Sequence, residues 1–266
     1  MDQFQIALAQ LEPKLFDKAH NLAKAEHALR LASSNGAAAV VFPELYLTGY
    51  SLGARAVELA EFPDGPSASR VAEMARSYHI AVLMGYAERS PDGQGAFDAI
   101  LVADAQGRIA GSYHKLHLFQ AEAGWFLPGD QPQVVDFGLG PTGLLICYDL
   151  EFPEAVRELA LRGARWAATC TGNMVPNQHL QEIFVQSRAA ENHLWVAVAN
   201  RVGREGDLQF FGGSAVADPW GKLTAQADDT ESVFWTEIDL GRAEAARHNA
   251  DYLADRRPEL YGTRPI

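Results

Sequence analysis

This 266-residue sequence predicts a layered α/β fold. Three observations carry that reading. Short apolar runs alternate with stretches of helical period, no Pro/Ser/Gly run is long enough to act as a linker, and 48% apolar and aromatic content can fill one continuous core. Residues 4–11 (FQIALAQL) read as a first strand. Asp17 then stands where an N-cap would, and Leu22, Ala25, Leu29 and Ala32 recur at helical spacing before Gly36, which predicts a helix packed on a sheet. Residues 37–42 (AAAVVF) form a buried strand running into Pro43, residues 67–79 an amphipathic helix, and residues 80–86 (IAVLMGY) another strand. FDAILVAD, the turn at 105–108 and IAGSYHK read as a hairpin, so part of the sheet is antiparallel. Residues 142–147 are a strand, 153–162 a helix with Pro at its first position and Gly163 after it, 164–170 a strand and 177–193 a helix. LWVAVAN, FGGSAVAD and SVFWTEID supply three late strands. About ten strands and about four main helices are more than one sheet holds comfortably, so two facing sheets covered by helices are expected. A single domain is expected over residues 1–240. The polar tail 241–266 has no obvious core of its own and is expected to pack at a subunit interface.

Composition narrows the function. With 34 acidic against 22 basic residues, the formal net charge of −12 opposes binding to nucleic acid or to an anionic membrane surface. No apolar run approaches ~18 residues, and the opening MDQFQIALAQLEP lacks the basic stretch of a signal peptide. The only cysteines, Cys147 and Cys170, are too few for a disulfide scaffold, so free thiols in a cytoplasmic setting are expected. A Cys147–Cys170 disulfide stays open at this point, with simple packing the expectation for Cys170.

Three strands end in a residue that is expensive to bury: Glu44, Lys115 and Cys147. Taken singly these read as a loop carboxylate, an exposed lysine and a small apolar side chain. Together, at the carboxyl ends of strands where α/β sheets form their ligand crevice, they can make a cysteine hydrolase that needs no histidine. The thiol needs a base or a neighbouring cation to become nucleophilic; Glu44 can take the proton and Lys115 can hold an oxyanion. A metalloenzyme is the weaker reading, because His114 and His117 stand near these segments but no HExxH or CxxC appears.

The segments FPELYLTGY (42–50), HKLHLFQAE (114–122) and LLICYDLEFPE (144–154) together resemble the nitrilase superfamily of carbon-nitrogen hydrolases. The resemblance continues through RAAENHLWVAVANRVG (188–203) and FGGSAVADPWG (211–221), and so covers residues 6–221. It implies an αββα four-layer sandwich of two mixed sheets, and homodimers or larger assemblies. It implies Glu44 as general base, Lys115 as oxyanion stabiliser, Cys147 as nucleophile, and Glu122 as the second glutamate that either orients the lysine and the substrate nitrogen or shares the proton transfers. The backbone N–H of Tyr148 would complete the oxyanion site. The implied reaction turns a small carboxamide into acid and ammonia through a thioester, with no cofactor and no metal.

Tyr148-Asp149 stands where members acting on nitriles commonly carry Trp-Glu, which favours an amide substrate. Glu151 stands where relatives with carboxylate-bearing substrates carry Arg, which predicts poor use of such substrates, unless Glu151 merely pairs with an arginine such as Arg157. Tyr50, Phe119, Trp125 and Asn173 lie near the catalytic segments and are expected to line the substrate pocket. Arg188, Glu191 and Asn192 match a further segment and read as polar scaffold. A nitrilase, an N-carbamoyl amidohydrolase, a glutamine-hydrolysing unit requiring a synthetase partner and a non-catalytic scaffold remain alternatives.

Overall fold

The structure is a computed structural model that describes residues 2–261. Strands β1 (Gln3–Gln10), β2 (Ala37–Val41), β3 (Ala81–Arg89), β4 (Ala96–Ala103) and β5 (Ile109–His114) belong to one sheet. The next strands, β6 (Val134–Val135), β7 (Thr142–Ile146), β8 (Trp166–Thr171) and β9 (Trp195–Asn200), belong to a second. A hairpin of β10 (Val202–Glu205) and β11 (Leu208–Phe211) then leads to β12 (Ala215–Ala217) and β13 (Leu223–Gln226) at the second sheet's edge, and β14 (Ser232–Asp239) returns to the first, beside β1. Both six-stranded sheets are mixed. β1, β2 and β3 run parallel, as do β7, β8 and β9, and the flanking strands pair antiparallel.

The period-2 alternation of the strands sorts side chains into three apolar layers. Ile6, Leu8, Val41, Leu83, Ile100 and Val102 meet Leu144, Ile146, Trp166 and Ala197 between the sheets. The intervening residues, including Val40, Val82, Met84 and Leu101, face α1 (Lys18–Ser34) and α3 (Pro66–Tyr78), with the short α2 (Ala56–Leu59) lying between these helices in the chain. On the far side, Leu145, Ala167 and Val198 pack under α4 (Pro153–Leu161) and α5 (Gln178–Asn192). This is the expected αββα arrangement. Asp17 caps α1, accepting from the His20 N–H at 3.0 Å, and Pro153 opens α4.

Fourteen strands occur among the described residues rather than about ten. The surplus is β6, β10, β11 and β13, which span two to four residues each and are too short to show a period. Residues 211–218 are not one strand, because Gly212 and Gly213 take left-handed backbone angles of 69° and 63° and separate β11 from β12. The tail has more anchorage than its polarity suggested. α6 (Gly241–Asn249) buries Ala243 and Ala246, Arg242 pairs with Asp218 at 2.7 Å beside Trp195 and Trp220, and Tyr252 stacks on His193. Its buried face is alanine, which carries little hydrophobic signal. Residues 262–266 of that tail lie outside the described residues. No helix among the described residues is long and apolar enough to cross a membrane.

Candidate active site

The ends of β2, β5 and β7 converge. After β2 the chain passes Phe42 and Pro43 to Glu44, and Leu45 turns it with a φ of 47°. The loop lies directly on β3: a methyl group on Gly85 would come within 2.3 Å of the Pro43 carbonyl oxygen and 2.7 Å of Glu44 Cα. Only glycine permits this approach. Glu44 is fully buried, and its Oε2 accepts from the Gly172 N–H at 2.7 Å. Its Oε1 accepts from Lys115 Nζ at 2.5 Å.

Lys115, just past β5, is also fully buried; its N–H donates to the Asp98 carbonyl and its own carbonyl accepts from Gly129 N–H. The ammonium donates as well to Glu122 Oε2 at 2.7 Å. Glu122 sits in a short 3₁₀ turn, where the Phe119 N–H donates to the same oxygen at 2.8 Å and the Tyr50 hydroxyl to Oε1 at 2.5 Å. Burial disfavours the Lys115 ammonium, but Glu44 first and Glu122 second outweigh that and hold its pKa well above the ordinary value. Burial raises the Glu122 carboxyl, opposed by Lys115. Burial also raises the Tyr50 phenol, so Tyr50 remains a hydrogen-bond donor.

Cys147 opens the 3₁₀ turn that follows β7 and has a φ of 41°, a left-handed conformation that a side chain adopts only when its surroundings impose it. It is half-buried. Burial and the Glu44 carboxylate push the thiol pKa up, with Lys115 opposing, so the sulfur carries its proton until a base removes it. The anchor of this turn is Asp149, which sequence reasoning used only as a substrate marker. Its buried carboxylate accepts from the Ile146 N–H (3.1 Å), the Tyr113 hydroxyl (2.7 Å) and the His117 N–H (2.9 Å), and contacts His117 Nδ1 (2.8 Å). It thereby ties the Cys147 turn to the lysine segment. Asp149→Asn is expected to lower stability by about 1–3 kcal/mol in urea unfolding, because one amide cannot accept all these donors. The same variant is expected to lower kcat about tenfold with KM little changed, since the substitution misplaces Cys147 without touching substrate.

The other expected residues are placed as follows. Tyr50 packs edge-on to Trp125 and Phe210, and Phe119 edge-on to Tyr148. Of these residues, Tyr50 reaches the polar cluster through its hydroxyl and Phe119 through its N–H, both at Glu122. Asn173 is tied down, its N–H donating to Asn200 and its Oδ1 accepting from the Met174 N–H. The Glu151 side chain makes no ion pair with Arg157. Arg188 instead holds the backbone, donating to the carbonyls of Leu150 (3.0 Å) and Glu151 (2.7 Å), and pairs with Glu191. The Asn192 amide donates to the Arg188 carbonyl. The Tyr148 N–H lies in the first turn after Cys147, where helical geometry supplies no acceptor. Cys170 and Cys147 are both free thiols, with Cys170 buried between the sheets. His114 contacts Glu88, and His117 stacks on Phe152.

Sequence reasoning missed two groups. Asp98 on β4 is fully buried 3.6 Å from Lys115 Nζ. Its phase with Ile100 and Val102 is the signal that could have found it, because a charged residue on the apolar face of a strand calls for a reason. Buried Glu205, paired with Arg201, accepts from the Tyr50 and Ser51 N–H groups and fixes the Tyr50 loop. No periodicity marks it, since it lies at the end of a four-residue strand.

The family model for carbon-nitrogen hydrolases matches residues 5–248. An (R)-stereoselective amidase of a Pseudomonas species is 37% identical, over 97% of this chain and 93% of its own length. A nitrilase of Pyrococcus abyssi is 36% identical, over 97% and 98%. Among solved structures, an amidase from a Nesterenkonia species superposes with a TM-score of 0.86 at 32% identity, covering 97% of this chain and 95% of that one. A variant of the amidase from Nesterenkonia sp. AN1 carries the acetamide moiety of fluoroacetamide added covalently at its active-site cysteine, with a TM-score of 0.84, 32% identity and the same coverage. With the four-layer fold and the match across nearly all of its length, the chain belongs to the carbon-nitrogen hydrolase family, within the nitrilase superfamily.

Proposed function

We propose that this hydrolase is a cysteine-dependent amidase that converts small carboxamides into carboxylic acid and ammonia through a thioester. The observation that carries this reading is the buried ammonium of Lys115, gripped by Glu44 at 2.5 Å and Glu122 at 2.7 Å beside the Cys147 turn. Because the thiol is held protonated, attack needs a base at the moment of bond formation. Glu44 takes the Cys147 proton as sulfur attacks the amide carbon, and the oxyanion is held by Lys115 Nζ and the Tyr148 N–H. Glu122 orients Lys115 and the amide nitrogen. Collapse breaks the carbon-nitrogen bond, and Glu44 returns the proton to the departing nitrogen. A water then gives a proton to Glu44 and attacks the thioester, and expulsion of sulfur with reprotonation restores the thiol.

Tyr148-Asp149 after the nucleophile favours amides over nitriles within this chemistry. Glu151 lies on the nucleophile turn and makes no side-chain hydrogen bond among the described residues. Burial raises its carboxyl pKa, with Arg188 and Lys115 opposing. An acid there repels a carboxylate on the substrate, so neutral amides are expected to exceed their ω-carboxylated analogues in kcat/KM by about tenfold, and Glu151→Gln to narrow that ratio. Equal ratios in both enzymes would remove Glu151 from specificity.

The test is ammonia release from aliphatic, aromatic and ω-carboxylated amides, carbamoyl compounds and nitriles, before and after stoichiometric alkylation of Cys147. Amide turnover that stops on alkylation supports the reading. Turnover of nitriles or carbamoyl compounds alone would move the substrate class. Release that survives alkylation, or no release at all, would overturn the cysteine amidase.

A further inference from the structure

Asp98 has no place in the reaction just described, yet it sits in the same buried cluster. Its side chain lies on the inner face of β4, in phase with Ile100 and Val102, and is fully buried. Carboxylate oxygens of Glu44, Asp98 and Glu122 lie within 4.8 Å of one another, with Lys115 Nζ among them. Three ionised carboxylates around one ammonium would leave two negative charges uncompensated, and like charges this close in a buried site do not all ionise. The donors identify which acid keeps its proton. Glu122 accepts from Lys115 Nζ, the Phe119 N–H and the Tyr50 hydroxyl. Glu44 accepts from Lys115 Nζ and the Gly172 N–H. Among the described residues no group donates to either Asp98 oxygen, and the ammonium at 3.6 Å is beyond hydrogen-bond reach. A buried carboxylate without a donor is the costliest of the three to ionise.

We propose that Asp98 is a positioning residue held as a neutral carboxylic acid, its O–H directed at Glu44, so that Lys115 faces two carboxylates instead of three and Glu44 keeps its orientation toward Cys147. Besides Glu44, Lys115 and Glu122, Cys170 on β8 faces it, and a thiol brings no positive charge in either protonation state. Burial first, and the Glu44 charge second, push the Asp98 carboxyl well above the ordinary range, with Lys115 opposing. A neutral amide of the same shape can replace a neutral acid that donates to Glu44. An apolar side chain cannot.

Infrared spectroscopy of the wild-type protein at neutral pH, with and without aspartate labelled with carbon-13 at the side-chain carboxyl, tests the protonation directly. A protonated-carboxyl carbonyl band that shifts with the label, and that disappears in Asp98→Asn, is the expected result. This arm needs no substrate, so it stands or falls apart from the amidase reading; the kinetic arm rests on that reading. There Asp98→Asn is expected to keep kcat/KM within about tenfold of wild type, and Asp98→Leu to lose more, in kcat rather than KM. Absence of a label-sensitive band overturns the proposal, as does a loss greater than tenfold in a folded Asp98→Asn enzyme, which would mean that the ionised form is the one required.

Discussion

Lys115→Met is expected to lower kcat/KM by about 10³-fold or more and to destabilise the protein by about 3–5 kcal/mol. The two effects have one cause. The ammonium is the oxyanion donor in the proposed reaction, and its removal also leaves Glu44 and Glu122 buried without their shared counter-charge. Methionine keeps most of the side-chain volume, so the loss reports charge and not a cavity. Its pH dependence is a further check. Burial already raises the Glu122 carboxyl against the opposing Lys115 charge; with the ammonium gone it rises further above the unfolded value, and a group raised in this way stabilises at low pH and loses that contribution as pH rises. The stability deficit should therefore be smaller near about pH 5 than near about pH 8. Urea unfolding at both values, beside amide turnover, measures it; an equal deficit at both would mean that the acids are not ionised around the lysine.

Gly85→Ala is expected to reduce kcat/KM about a hundredfold although residue 85 touches no substrate. The added methyl would lie 2.3 Å from the Pro43 carbonyl oxygen, 2.5 Å from the Leu45 nitrogen and 2.7 Å from Glu44 Cα. All three are backbone atoms and cannot rotate away, so the whole Glu44 loop must shift off β3 and off Lys115. The accompanying loss of stability is expected to be about 1–3 kcal/mol. Gly124→Ala is the control, because it lies in the turn that carries Glu122 but a methyl there meets nothing within 4 Å. Loss of activity of similar size in both variants would argue against displacement of Glu44 as the cause.

Glu44, Lys115 and Cys147 were legible in the sequence because each follows a segment that reads as a strand, and a costly residue at a strand's end stands out. The layers were legible in the same way: short apolar runs mark buried strands, and helical spacing in α1 and α3 reports which face packs on them. Other features carried no such signal. The two-residue β6 and the alanine face of α6 are too short or too weakly hydrophobic to announce themselves. The relation among Glu44, Asp98, Lys115 and Glu122 joins residues brought together from separate strands and loops. What the sequence by itself determined was the fold class, the family and the residue types that stand at the strand ends, since these rest on local pattern and residue type. Which acid faces which nitrogen, which glycine carries the Glu44 loop, and which carboxyl lacks a donor were decided only in the tertiary structure, because charge balance and close packing depend on distances of a few ångströms across the chain.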